Sequence, residues 1–88
     1  MEIVRKNQFK KDYQKALKQG KDVNKLKLII ERLSVNAPLE REYKDHALKG
    51  KFKESRECHL EPDWLLIYTL KENCLILERL GSHSDLFH

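Results

Sequence analysis

The sequence predicts an α+β fold: two helices packed on one face of a twisted, mainly antiparallel β-sheet, in the order β-α-α-β-β-β-β. Three observations predict it. Residues 7–33 place apolar side chains at helical spacing in two stretches separated by Gly20. From residue 45 onward, apolar residues come in short bursts divided by turn residues, as in a β-meander. Asn36-Ala37-Pro38 separates the two regimes, because a proline lacks a donor and disfavours helix in the residue before it.

The first element is the short, β-branched "EIVR", a strand over residues 2–5. Asn7 is placed to cap a helix whose inward face is Phe9, Tyr13, Ala16 and Leu17, with Gly20 at its end. Asp22 caps a second helix with Leu26, Ile29, Ile30 and Leu33 facing inward. Strands follow near 45–49, 54–61, 64–71 and 74–81. The breaks between the last three are Glu61-Pro62-Asp63 and Lys71-Glu72-Asn73, and proline at the second position suits a tight turn because its φ is preset. The first strand finds its partner beside a strand of the meander.

Eighty-eight residues make a single domain over residues 1–88, with a modest core and room for a shallow groove rather than a deep cavity. Lys and Arg number 18 against 14 Asp and Glu, a net charge of +4. The excess is uneven: residues 1–36 hold ten basic and four acidic side chains, residues 37–88 eight and ten. All four histidines fall in the second part. A basic helical layer beside a sheet of titratable groups fits a phosphate-bearing partner, and equally fits two solvated Lys-rich helices. Cys58 and Cys74 form no Cys-x-x-Cys, and "MEIVRKNQFKK" is no signal peptide, so reduced thiols in the cytoplasm are expected. The apolar runs "WLLIY" and "CLIL" are too short to span a bilayer, which removes the membrane as a partner.

The stretch "CHLEPDW", residues 58–64, collects chemistry that admits several readings. A cysteine nucleophile needs a neighbour that lowers its pKa. Cys58 and His59 are adjacent on a strand and point to opposite faces, so Cys58 reads as core. A zinc site needs paired ligand spacing, and His46, His59, His83 and His88 are scattered; no metal or other cofactor is expected. An acid–base set fits better. His59 and Glu61 share a strand face by alternation, Asp63 sits at the turn, His46 comes from the strand before, and His83 follows the last strand. Arg56 and Arg79 lie on strands, and a guanidinium suits a charge-dense phosphate. Phe87 can stack on a nucleotide base or pin the C-terminus. Trp64 packs in the sheet, supporting the site from beneath. Solvated surface residues would account for any one of these histidines taken singly.

Three segments, "YKDHALKG" (43–50), "RECHLEPDWLLIY" (56–68) and "ERLGSHSDLF" (78–87), together resemble the YafQ branch of the RelE-like toxins over nearly the whole chain. The resemblance implies two helices on a twisted antiparallel sheet and a metal-independent endoribonuclease. Such an enzyme cuts mRNA in the ribosomal A site and is inhibited by a cognate antitoxin. It meets operator DNA only as the toxin–antitoxin complex. Carried onto this chain, the acid–base set is His46, His59, Asp63 and His83. Arg79 stabilises the phosphate and Phe87 orients the bases; apart from the resemblance, Arg56 on its strand and Trp64 at the turn are further substrate-binding candidates. Ala47 and Ser55 stand where the family often has Pro and an aromatic residue, and His88 is assigned no role.

Two other classes of function share the fold. A related toxin that poisons DNA gyrase would lack this histidine set. A nucleic-acid-binding module without catalysis would explain the basic helices and leave three histidines and an aspartate unexplained.

Overall fold

Trp64–Lys71 forms the central strand, and Trp64 through Thr69 are all buried. A strand covered on both faces reads as a continuous apolar run, which is why "WLLIY" does not alternate. The structure, a computed structural model, describes residues 1–87, the side chain of Lys51 excepted; His88 lies outside the described residues. Around the central strand, β4, the order is β1 (Glu2–Arg5), α1 (Asn7–Lys18), α2 (Val23–Ser34), β2 (His46–Ala47), β3 (Arg56–Glu61), then β5 (Cys74–Gly81) and α3 (His83–Leu86). Short 3₁₀ turns occupy Arg41–Tyr43 and Gly50–Phe52. The five strands form one sheet ordered β1-β5-β4-β3-β2. β1 runs parallel to β5 and the remaining pairs are antiparallel.

The predicted order is matched by the structure, with corrections in detail. Asn7 does not cap α1. It is the first helical residue, and Lys6 at the cap position makes no side-chain bond. Leu17 does not face the core and is 43% exposed; Asp12 takes a buried place on that helix instead. Asp22 caps α2 as predicted, accepting from the Asn24 amide. Both helices end in the same way. Gly20 and Asn36 adopt left-handed φ values of 73° and 57°, and Lys21 and Ala37 donate back to the carbonyls of Ala16 and Arg32. That closes the last turn with residues suited to positive φ. The predicted strand at 45–49 shortens to two residues, because Gly50–Phe52 turns into a 3₁₀ helix.

The sheet carries a core on each side. Phe9, Ala16, Leu26, Ile29 and Leu33 of the helices meet Cys58, Leu60, Trp64, Leu66, Tyr68, Leu75, Leu77 and Leu80. On the opposite face, Leu65 and Ile67 are covered by Leu86 of α3, with Leu48 and Phe52 packed around them. α3 is an element the sequence reading passed over. Its signal is present in "SHSD": Ser82 accepts from the Asp85 amide while the Asp85 carboxylate accepts from the Ser82 amide, a capping box with aspartate in the third position. The helix holds His83 and Leu86 over the second core.

One irregularity decides which side chains share a face. β3 and β4 shift register between His59 and Glu61, and Leu60 enters the helix-side core. A bulge adds one residue and breaks the two-residue period. Glu61 therefore pairs with Trp64 and turns to the helices, where Lys21 and Lys25 meet its carboxylate at 3.6 and 3.2 Å. The expected shared face of His59 and Glu61 does not form.

Candidate active site

Alternation along β3 sends Arg56 and Cys58 toward the helices and Glu57 and His59 to the other face. β2 joins β3 with His46 opposite Glu57, so His46 arrives on that same face. At the β3–β4 turn sits Asp63, and α3 brings His83 to it. The result is a row of three imidazoles. The ring centroids of His46 and His59 are 6.2 Å apart, and those of His59 and His83 are 5.6 Å apart.

Two carboxylates order the row. The Glu57 Oε2 lies 3.1 Å from the Nε2 of His46 and 3.3 Å from the Nε2 of His59. Glu57 is only 6% exposed, and a buried carboxylate is tolerated when donors converge on it. The Nδ1 of His46 faces the carbonyl of Lys44, so both of its ring nitrogens meet acceptors. Asp63 holds the other end. Its Oδ1 accepts from the His83 amide at 2.9 Å and meets the His83 Nδ1 at 2.7 Å. The bond from the His83 amide, followed by that from its ring, holds the Asp63 carboxyl below the usual aspartate range. Asp63 is thus ionised when it orients His83.

Glu57 is the member of this site that the sequence reading missed. Its signal was available: it stands two residues before His59, the spacing that puts side chains on one strand face. The same rule was applied to Glu61, two residues after, where the bulge defeats it.

The remaining candidates are distributed otherwise. Arg56 does not join the imidazole row. It points to the helix side, bonds Asp45 at 3.2 Å, and shares that carboxylate with the Tyr68 hydroxyl at 2.6 Å. Arg79 is held by Asp12 of α1 through Nε at 2.9 Å and Nη2 at 3.3 Å. The same carboxylate accepts from the Leu80 amide, closing the edge of β5 past the end of β1. Two of the five guanidinium donors of Arg79 are thereby used. Trp64 is 2% exposed, with the Lys21 ammonium 5.7 Å from its ring. The indole underlies the turn carrying Asp63 and offers little surface to a ligand. Phe87 is 42% exposed and meets Phe52 edge-on at 5.8 Å between centroids, so part of its ring is packed and part is free to contact a ligand.

Cys58 is fully buried, and burial, with Asp45 and Glu57 adding to it, pushes its thiol up to about 12. A thiol so protonated is no nucleophile near neutral pH. Among the described residues, no three His, Cys, Asp or Glu side chains converge with metal-holding geometry, and no helix is long and apolar enough to cross a membrane. The arrangement can move protons: two carboxylate-backed imidazole groups face one another across an open surface.

Residues 1–88 match a family model described as "Bacterial toxin of type II toxin-antitoxin system, YafQ". The chain is 46% identical over 87 residues to the mRNA interferase toxin YafQ of Escherichia coli strain K12, covering 98% of this chain and 95% of that protein. Among solved structures, it is similar to a copper-bound mutant toxin from Helicobacter pylori, with a TM-score of 0.95 at 47% identity over 99% of each chain. It is also similar to the crystal structure of the E. coli DinJ–YafQ complex, with a TM-score of 0.92 at 45% identity over 99% of this chain and 98% of the other.

Proposed function

The chain belongs to the YafQ family of bacterial type II toxin–antitoxin toxins, and from that premise we propose that it cuts mRNA by metal-independent attack of the RNA's own 2′-hydroxyl. The observation that carries this reading is the row of three imidazoles, each with a nitrogen on a carboxylate oxygen. An ionised carboxylate only accepts hydrogen bonds. The His83 Nδ1 facing Asp63 therefore carries a proton, and Nε2 is the nitrogen that meets substrate. His83 is the base: its Nε2 takes the 2′-hydroxyl proton as O2′ attacks phosphorus.

The opposite wall is the pair on Glu57. Each imidazole nitrogen that faces Glu57 carries a proton, and a His46 that satisfies both of its acceptors carries two. His59 returns a proton to the departing 5′-oxygen from Nδ1, the ring nitrogen that does not face Glu57, while His46, with both nitrogens on acceptors, helps hold Glu57 in place. The products are a 2′,3′-cyclic phosphate and a 5′-hydroxyl, and no other reactant is consumed. Arg79, fixed by Asp12, directs its remaining donors to the phosphate. Phe87 orients the bases.

The reaction takes place in the ribosomal A site, in the cytoplasm, where the ribosome presents a single strand to a shallow surface. A cognate antitoxin silences it, as the E. coli relative's complex with DinJ suggests, and the toxin–antitoxin complex binds operator DNA. His83→Gln and His59→Ala should each lower mRNA cleavage by about 10²–10⁴-fold, the usual worth of a proton-transfer group. Antitoxin capture should be retained. Primer extension on ribosome-bound message reads the first effect and co-purification the second; undiminished cleavage in both variants would remove the assignment.

A further inference from the structure

Next to the imidazole row the surface opens into a groove of about 570 Å³ that the acid–base set does not fill. His59 and His83 are part of its lining. Tyr43, Lys44, Pro62 of the β3–β4 turn and Lys25 of α2 also line it, with Glu42 and Glu61 as its carboxylates. The lining is built to hold position. Lys44 ends the 3₁₀ turn in a left-handed conformation, φ 47° and ψ 43°. A lysine adopts that region at a cost. The conformation aims the Lys44 carbonyl at His46 while its side chain lines the groove. The next residue, Asp45, is tied to the Tyr68 hydroxyl and to Arg56. Glu61 is neutralised by Lys21 and Lys25.

The lining has the chemistry of a nucleotide. Tyr43 and Pro62 provide apolar surface for a planar ring, and lysine lies within reach of a flanking phosphate. We propose that this groove is a nucleotide subsite: it stacks the base next to the scissile phosphate on Tyr43 and pairs that nucleotide's outer phosphate with Lys44. The proposal rests on the ribonuclease reading, because the groove opens onto the proton-transfer groups of that reaction. It explains why a shallow site needs only one base held firmly to align O2′ with phosphorus.

The test is binding of a fluorescent single-stranded RNA carrying 2′-O-methyl groups, which cannot be cut, measured by anisotropy across a salt series. Tyr43→Ala should weaken binding about 5- to 100-fold, the range for a lost stacking contact. Tyr43→Phe keeps the ring and should bind within about twofold of the parent. Lys44→Gly suits the left-handed backbone and should lower the salt slope by about 0.7, one phosphate contact on a single strand. This variant keeps the test informative should Tyr43→Ala fold poorly. Parental binding and salt slope in all variants would overturn the subsite, and weakened antitoxin capture in those same variants would mark the groove as a protein surface instead. The two readings fail separately. Cleavage that survives His83→Gln while RNA binding falls in the Tyr43 and Lys44 variants removes the ribonuclease assignment and leaves the subsite standing.

Discussion

A carboxylate shut away from water beneath two imidazoles governs their protons more firmly than an exposed one could. Glu57 has that position: donors from His46 and His59 converge on one of its oxygens, and the carboxylate itself is shielded from solvent. Glu57→Gln keeps the shape and removes the charge. We expect cleavage to fall by about 10²-fold or more while the circular dichroism spectrum stays that of the parent. Cys58 lies one residue on and on the opposite face, with a thiol pushed up to about 12. It stays protonated at any pH below that value, so iodoacetamide at pH 8 should label Cys74, which is partly exposed, well before Cys58. Mass spectrometry of the peptides checks this, and labelling of Cys58 should begin only when denaturant unfolds the protein. Cys58→Ala should leave cleavage unchanged and cost about 1 kcal/mol of stability.

At the scale of elements, α3 and the β3–β4 turn are joined by the contact between Asp63 and His83. The Asp63 carboxyl sits below its ordinary value, which fixes the sign of its linkage. The contact contributes stability above the unfolded-state value of about 3.9 and loses it as pH falls through the lower folded-state value. The difference in melting temperature between the parent and Asp63→Asn should therefore be fully present at about pH 5 and shrink as pH falls below it. A difference that grows on acidification would contradict the contact. The elements also show where a sequence is readable. β1, β4 and β5 begin and end as predicted, because turn residues mark them; Glu72 and Asn73 both take positive φ in the β4–β5 turn, as a two-residue hairpin requires. The bulge at Leu60 was not readable. Nothing in "CHLEP" marks an inserted residue, and the shift shows only in the pairing of His59 with Leu65 and of Glu61 with Trp64. The third helix was readable from its capping box, although four residues are too few for periodicity to show.

For the whole molecule, net charge and site turn out to be largely separate. The basic helices pack on the face bearing Leu66 and Tyr68, while Glu57 and His59 lie on the opposite one. Lys21 and Lys25, near the loop between α1 and α2, reach the turn beside the site, and both meet Glu61. Composition counted the lysines and could not say which face they would cover. The histidines were legible as candidates because each belongs to a segment with its own turn or cap. What brings them together is the pairing of β2 with β3 and the docking of α3, contacts distant in sequence. In the reaction we propose, these side chains alone move the protons of RNA cleavage. The most direct measurement is the chemistry of the cut ends, formed in excess EDTA and read by mass spectrometry and end-labelling. We expect a 2′,3′-cyclic phosphate and a 5′-hydroxyl at an undiminished rate. A 5′-phosphate product, or cutting that stops with the chelator and returns with copper or another divalent cation, would contradict the proposal.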